Sequence, residues 1–534
     1  MSGNKGFIGF ILALAAVLCL ILLLLHYLIV KDNPADTTET NGTATETTAV
    51  SGNEIPQVSG NEGQTETSLE SIQTESSLSV ESSTQDSTAS RIKLPLYGDQ
   101  TFRTSMVDAL SKPQERVLSK GSIYYVSPQG DDANSGTQDK PFGSFEYAIG
   151  KLKAGDTLYL LDGTYSEKMI LPAQLQGNAD QYITIAGAPG ATATLDGTDL
   201  TSPELVEMEG CGYVQLSNLT FTGASALDAC GILVDAGSNH LLISGNTMTG
   251  ISVPDPTTQD HCANCILLLG DDPDQSISNV LIYGNTFSDC QTGWAECIAV
   301  SAYTENVNVV SNTITNTGNI GIDFSGNYGY CSDASKDFPM YGMIYQNTVS
   351  NCVSPNATSY GIYVDGAQEI TVQDNTVSQC SGGIEVGAEK LPSDESYSTA
   401  AVTLDGNTVD KNTEAGIAIG GYDKGLGWVK NVMVKNNICT DNGTAATDGA
   451  ILILSKCDGI SFLSNKFQNQ TGSAAVVDSE MDATLTTNIT FQKNTYSNSK
   501  NAGSTNFIYL GKSYTSYKDW AAAAGDTTGV YSAQ

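Results

Sequence analysis

The sequence predicts an all-β solenoid, a parallel β-helix, and three observations carry that prediction. A phrase of two or three apolar positions followed by Asn-Thr recurs from about residue 214: LLISGNTM, VLIYGNTF, VNVVSNTI, GMIYQNTV, ITVQDNTV and VTLDGNTV. Looser copies are VMVKNNI, ISFLSNKF and ITFQKNTY. The marker residues are Asn246, Asn285, Asn312, Asn347, Asn375, Asn407, Asn436, Asn465 and Asn494, and the intervals run from 27 to 39 residues, the last three all 29. Asn218, in VQLSNLTF, reads as an earlier member. A period in this range marks stacked coils. The apolar runs are short, rich in β-branched residues and alternate with period two. No segment between them reads as a crossover helix.

Taken in order, the chain opens with FIGFILALAAVLCLILLLLHYLIV at residues 7–30, an apolar run of 24. That is long enough to span a bilayer. It exceeds a signal-peptide core, and no small-x-small cleavage site follows it. Lys5 precedes it; Lys31 follows, with Asp32, Asp36 and Glu39 close behind. Residues 1–31 read as a transmembrane signal-anchor, single-pass, with the bulk of the chain extracellular. A cleaved signal, which would leave the protein secreted, is the competing reading. Residues 32–92 are dominated by Ser, Thr, Glu, Gly and Asn, carry VSGNE twice, and read as a disordered stalk. Residues 93–120 connect the stalk to the β-helix, expected over 121–505, and residues 506–534 close it.

The formal charge is −35, from 59 acidic and 24 basic residues. Arg91, Arg103 and Arg116 are the only arginines, and no Lys or Arg lies between Lys168 and Lys336. Such a surface repels nucleic acid, whose binding needs basic groups on phosphates. It leaves neutral ligands and divalent cations as partners. The histidines are His26, His240 and His261, too few in the folded part for a His-rich transition-metal site.

Within one coil the order is strand, Asn turn, strand, variable loop, then a strand of the form G-I-x-V. The tight turn suits Asn, which tolerates left-handed backbone angles. In the G-I-x-V strand Ile and Val face the core, so x is expected to face solvent. Aligned by coil, x reads Leu233, Leu267, Ala299, Asp323, Tyr363, Glu385, Ala418, Leu452. The position two further on reads Asp235, Leu269, Ser301, Ser325, Asp365, Gly387, Gly420, Leu454. Neighbouring coils stack ~4.8 Å apart, so Asp323 and Glu385 are expected about 9–10 Å apart with Tyr363 between them. Asp365 falls diagonally beside both. Three acids distant in sequence thus converge as catalytic candidates on the floor of an exposed groove. Glu296, in GWAEC, and Glu389, in GAEK, border the same sheet, and Tyr363 could stack on a sugar.

The start of the repeat domain is more specific. IYYVSPQGDDANSGTQDKPFGSFEYAIGKLKAGDTLYLLDGTYSE at 123–167 and YITIAGAPGATATLDG at 182–197 resemble the first coils of right-handed parallel β-helix proteins acting on polysaccharides. The resemblance is to the pectate-lyase-like superfamily, family 9 type, and covers about 121–520. It implies a short helix near 143–153 capping the open end of the core. SYTSYKDWAAAAGDTTGVYS, from Ser513, resembles the closing segment of such domains. The family also implies catalysis on the outer face of one sheet, with a calcium pocket of Asp side chains and a Lys as base. Asp235, Asp271, Asp272 and Asp274 are loosely similar to that calcium set, though their spacing is not the family's and no Lys lies on those coils. Lys336 and Lys390, in loops flanking the acidic face, are the alternative bases. The three-Asp hydrolase pattern of polygalacturonases is absent.

Three chemistries fit. A polysaccharide lyase needs a base and a positive charge for the developing anion, which Ca2+ held by acids could supply. A glycoside hydrolase needs two carboxyl groups, about 6.5–9.5 Å apart for inversion or about 5–5.5 Å for retention. A non-catalytic glycan-binding or adhesive surface protein needs neither. The chain has 12 cysteines. Cys290, Cys352 and Cys380 each follow a repeat Asn by five residues, and Cys265 and Cys297 align on neighbouring coils; stacked buried thiols are the expectation. Disulfides remain open to an extracellular chain, and Cys262 and Cys265 form a lone CxxC.

Overall fold

The computed structural model describes residues 121–533 except 260, 422–424, 444–448, 470–482 and 499–506. Of the chain's two units, Met1–Asp86 and Ser87–Gln534, every described residue belongs to the second. The expected anchor, stalk and connecting segment lie outside the described residues. Among the described residues no helix is long and apolar enough to cross a membrane.

Unit two is an all-β right-handed parallel β-helix with few helices. Each coil visits three sheets, here called the first sheet, the turn sheet and the G-I-x-V sheet. One coil shows the pattern. Thr304–Val310 lies in the first sheet, Thr313–Thr317 in the turn sheet and Ile322–Ser325 in the G-I-x-V sheet, and a loop over 326–342 leads back to Met343–Tyr345. This is the coil order expected from sequence.

Alternation builds the core. Ile298, Ile322, Ile362, Ile384 and Ile417 stack in one inward column, and Val300, Phe324, Val364, Val386 and Ile419 in the next. None of them is more than 1 % exposed. Each such side chain contributes ~1.5–3 kcal/mol of burial. The glycine before the Ile has a steric reason: a Cβ on Gly321 would stand 2.7 Å from the Gly361 carbonyl oxygen of the next coil.

The asparagines form a buried ladder, with two corrections to the sequence reading. The left-handed residue is the one before each ladder Asn, as at Gly245, Ser311, Gln346 and Asp374. The ladder Asn instead donates Nδ2 to its neighbours and accepts at Oδ1: Asn347 Nδ2 to Asn375 Oδ1 at 3.0 Å and to the Val309 carbonyl at 2.8 Å. The member in VMVKNNI is therefore Asn437, not Asn436, whose φ is 57°. The final intervals become 30, 28 and 29 rather than three equal steps. Likewise Asn218 is a turn residue with φ 55°, and Leu219 holds the ladder rung by donating its N–H to Asn246.

The capping helix is shorter than expected, Phe145–Ile149, started by Ser144 and burying Phe145, Ala148 and Ile149. At the other end, helix Tyr517–Ala524 buries Trp520, and strand Val530–Ala533 adds a rung to the turn sheet.

No disulfide joins any of the 11 described cysteines. Cys352 donates its N–H to Cys380 Sγ at 3.5 Å and its Sγ contacts Thr317 Oγ1 at 3.2 Å, the stacked buried column expected. Cys265 lies buried inside the strand Ala263–Gly270, and Cys262 just before it is partly exposed.

Candidate functional site

The G-I-x-V register is as read from sequence. Leu233, Leu267, Ala299, Asp323, Tyr363, Glu385, Ala418 and Leu452 are successive partners across the sheet. The second column departs from the expectation. Ser325 stands opposite Gly366 in an antiparallel bridge, not beside Asp365, whose carbonyl instead takes the Gly326 N–H at 2.7 Å.

Burial requires a larger correction. Asp323 is 3 % exposed, Tyr363 3 %, Glu385 1 % and Asp365 0 %, so these outward side chains do not face solvent. The loops that follow Ser325 and Gly387 fold back over the sheet and cover them. Two carboxylates hold those loops down. Asp337 accepts N–H bonds from Gly329 at 2.5 Å and Cys331 at 2.9 Å, shaping the segment that carries Tyr328 and Tyr330. Asp365 accepts the Tyr328 hydroxyl at 2.6 Å and the Glu389 N–H at 2.8 Å, one bond from each loop.

Between the loops remains a cavity of about 500 Å³. Asp323 and Tyr363 form its floor, with Glu296, Glu389, Trp294, Tyr328 and Tyr330 around it. Trp294 and Tyr330 are 39 % and 43 % exposed, large apolar faces turned to solvent at the pocket. Asp365 and Glu385 do not line it. Glu385 sits one coil beyond Tyr363, and Asp365 serves the loops. Of the three acids expected together, one reaches the cavity.

The electrostatics are those of crowded acids. Burial, then the charges of Glu296, Asp365, Glu389 and Glu385, push the Asp323 carboxyl well above its ordinary range. Its Oδ1 is buried with no hydrogen-bond partner. Burial, then the charges of Glu389 and Asp365, raise Glu296 to about 7. Asp365 also rises to about 7, through burial and then the Glu389 charge, against the bonds from Tyr328 and the Glu389 amide and the charge of Lys390. Tyr328 approaches Glu389 Oε2 at 3.1 Å as well as Asp365.

Among the described residues no Lys, Arg or His lines the cavity. Lys390 Nζ lies 4.6 Å over the Tyr328 ring. Lys336 donates to the Pro273 carbonyl at 2.8 Å and lies 3.7 Å from Asp333, outside the pocket wall. The loosely calcium-like acids do not gather. Asp235 pairs with Leu269, and Asp272 accepts the Asp274 N–H at 2.8 Å and Gln275 Nε2 at 3.1 Å, closing its own turn. Among the described residues no group of three or more His, Cys, Asp or Glu is arranged to hold a metal ion. Sequence reading missed Trp294, Tyr328, Tyr330 and Asp337. The signal for Tyr328 and Tyr330 was the aromatic run NYGYC, in the loop that stretches one ladder interval to 35 residues, and Asp337 follows in the same loop; Trp294 lies apart, in GWAEC.

Comparison with known proteins agrees with this architecture. Residues 124–379 match the family described as "Pel9A-like, right handed beta helix region". The match covers the first coils and the middle of the β-helix. Residues 275–507 also match "Periplasmic copper-binding protein (NosD)". Among curated proteins, the uncharacterized protein YwoF of Bacillus subtilis is 27 % identical over 366 residues, 66 % of this chain and 76 % of that protein. Pectate lyase PEL9 of Emericella nidulans is 34 % identical over 76 residues, 14 % of this chain and 18 % of the enzyme. Among solved structures, GH136 lacto-N-biosidase from Eubacterium ramulus has a TM-score of 0.46 at 15 % identity, covering 81 % of this chain and 70 % of the enzyme. Pectate lyase Pel9A has a TM-score of 0.35 at 12 % identity, covering 71 % and 80 %.

Proposed function

We propose that this protein binds a neutral glycan in the Asp323 cavity and hydrolyses a glycosidic bond there. The observation that carries the proposal is a buried, crowded carboxyl group with a free oxygen in an aromatic-walled pocket lined by acids and no cation. Exposed Trp294 and Tyr330 offer apolar faces for sugar rings. Asp323, held protonated by its surroundings, donates its proton to the leaving oxygen. Glu296, which ionises near pH 7, acts as the second carboxyl group, as nucleophile or as base on water. Crowded acids whose ionisation is driven apart by their neighbours suit such a division of roles.

The pectate-lyase resemblance favours a second reaction, elimination at a uronate. A uronate carries its own negative charge, so in this pocket it would need a divalent cation such as calcium to accompany it. The exposed aromatics favour the remaining reading, binding without turnover. We put the domain outside the cell, on an anchor at residues 7–30, where polymeric glycans are met. Protease treatment of intact cells, which should digest it, tests that part.

One experiment separates the chemistries. The protein is incubated with neutral and uronate oligosaccharides, with and without calcium, and reducing ends and ultraviolet absorbance are followed. New reducing ends without absorbance are expected, falling at least ~100-fold in Asp323→Asn while binding persists. Absorbing, unsaturated products that need calcium would make the protein a lyase. Binding without products would leave a glycan-binding protein, and neither binding nor products would overturn the whole reading.

A further inference from the structure

The Asp323 cavity differs at its two ends along the solenoid axis. Successive rungs of its floor are Leu267, Ala299, Asp323 and Tyr363. Leu267 and its strand neighbour Leu269 are partly exposed, whereas Ala299, Asp323 and Tyr363 are at most 3 % exposed. The floor therefore descends towards Asp323. Beyond Leu267 the lining continues to Cys230, one coil earlier, and to Asp228 just before that strand. From the Asp323 rung to the Cys230 rung is three coils, ~14 Å at ~4.8 Å each.

In the other direction the cavity stops after one coil. Glu385 and Gly387, on the rung after Tyr363, are buried and take no part in the lining. The Tyr363 ring leans over that rung: a Cβ on Gly387 would stand 2.8 Å from it. Above it the loops after Ser325 and Gly387 are joined. Besides the Tyr328 and Glu389 bonds to Asp365, Asn327 Nδ2 donates to the Tyr397 carbonyl at 3.1 Å. The Phe338 and Tyr397 rings lie 5.8 Å apart, centre to centre. The side walls instead run back towards the Leu267 rung. Lys336 donates to the Pro273 carbonyl from one loop, and Asn356 donates to the Pro256 carbonyl at 2.7 Å from the loop before Tyr360–Asp365. Pro256 and Pro273 lie in the loops on either side of strand Ala263–Gly270. Among the described residues the result is a trough along the solenoid axis, walled on both sides and blocked past Tyr363.

We propose that this trough takes the end of a glycan chain and not its middle, so that the protein trims chain ends and releases one short product length. The proposal rests on the hydrolysis proposed above. With the reacting bond at Asp323, a short terminal piece sits on Tyr363 against the closed wall. The rest of the chain runs out over Ala299, Leu267 and Leu269 towards Asp228. The two partly exposed leucines on the floor and Trp294 at the flank give its rings apolar surfaces. An internal segment would have to leave through the Tyr328–Asp365–Glu389 junction, which occupies that path. In the cut itself the glycosidic C–O bond breaks and the oxygen of water bonds the sugar carbon. The leaving oxygen takes the Asp323 proton, which water restores.

End-capped substrates on the full chain test this. Neutral oligosaccharides of graded length are offered free, with a bulky fluorophore on one end, and with one on both ends. Mass spectrometry should find one short product length from the first minutes. Capping one particular end should lower kcat/KM at least ~100-fold. Products of every intermediate length at the outset, or doubly capped chains cut as fast as free ones, overturn the proposal. Tyr328→Ala, which takes a ring and a hydroxyl out of the closed wall, should add intermediate lengths to the products. If no oligosaccharide is cut, the hydrolysis reading fails by itself and calorimetry decides this one. Double capping should then raise Kd at least ~10-fold, and an unchanged Kd overturns the chain-end proposal.

Discussion

Replacing Asp365 by Asn removes one ionisable oxygen from the acid cluster and changes little else. Asp365 is fully buried, with Oδ1 on the Glu389 N–H and Oδ2 on the Tyr328 hydroxyl. Asparagine keeps the first bond. Its amide can donate to the Tyr328 oxygen, leaving the hydroxyl hydrogen for Glu389 Oε2. Burial and the Glu389 charge raise Asp365 from 3.8 to about 7. At ~1.36 kcal/mol per tenfold change in acidity, ionising it in the folded state costs about 4 kcal/mol relative to the unfolded chain.

The sign is opposite to that of a salt-bridged carboxylate. Between pH ~4 and ~7 the folded protein keeps a proton that the unfolded chain has released, so stability falls as pH rises through that window. Glu296, raised to about 7 beside the same neighbours, adds to the fall. Urea unfolding at pH 5, 6, 7 and 8 reads this directly. The unmodified protein should be most stable at the acid end. Asp365→Asn should exceed it by ~1–2 kcal/mol at pH 5 and by up to ~4 kcal/mol at pH 8, and show a shallower pH slope. Stability rising from pH 5 to 8 in the unmodified protein, or an unchanged slope in the variant, would refute the buried-acid account.

Asn347→Ala cuts the ladder at mid-length. It strips the partner from the Asn312 N–H, one Asn312 Nδ2 hydrogen and the Val309 carbonyl, all buried, and should cost ~3–6 kcal/mol in urea unfolding. Asp337→Ala frees the Gly329 and Cys331 N–H groups that fix the Tyr328–Tyr330 segment. It should weaken glycan binding about 10-fold by calorimetry while costing ~1–3 kcal/mol of stability. Trp294→Ala, at an exposed pocket wall, should raise the glycan Kd ~5–10-fold with the unfolding midpoint unchanged.

These predictions concern contacts of unequal visibility in the sequence. The G-I-x-V column was legible because Ile and Val must point inward, which fixes x on the opposite face, and coil stacking then aligns Asp323, Tyr363 and Glu385. The Asn ladder was legible to within one residue. It slipped at Asn436 and Asn437 because adjacent asparagines suit both the left-handed turn and the rung, and only the direction of the Nδ2 bond separates them.

What the column could not reveal was its cover. Facing away from the core says nothing about facing water, and the difference is set by loops without periodicity. Those loops are fixed by single long-range bonds: Asp337 to the backbone of its own loop, and Asp365 to Tyr328 and Glu389, 37 and 24 residues away. Asp365 looked catalytic because it shares the sheet with Asp323, yet its two oxygens are occupied in holding the walls. Asp323 has an unpartnered oxygen in the same neighbourhood. A buried acid that closes loops spends its lone pairs on them, whereas one that must meet a substrate keeps an oxygen available. In the proposed hydrolysis the chemistry therefore falls to Asp323, the member of the acid column that lines the cavity, while Asp365 holds the loops that form its walls.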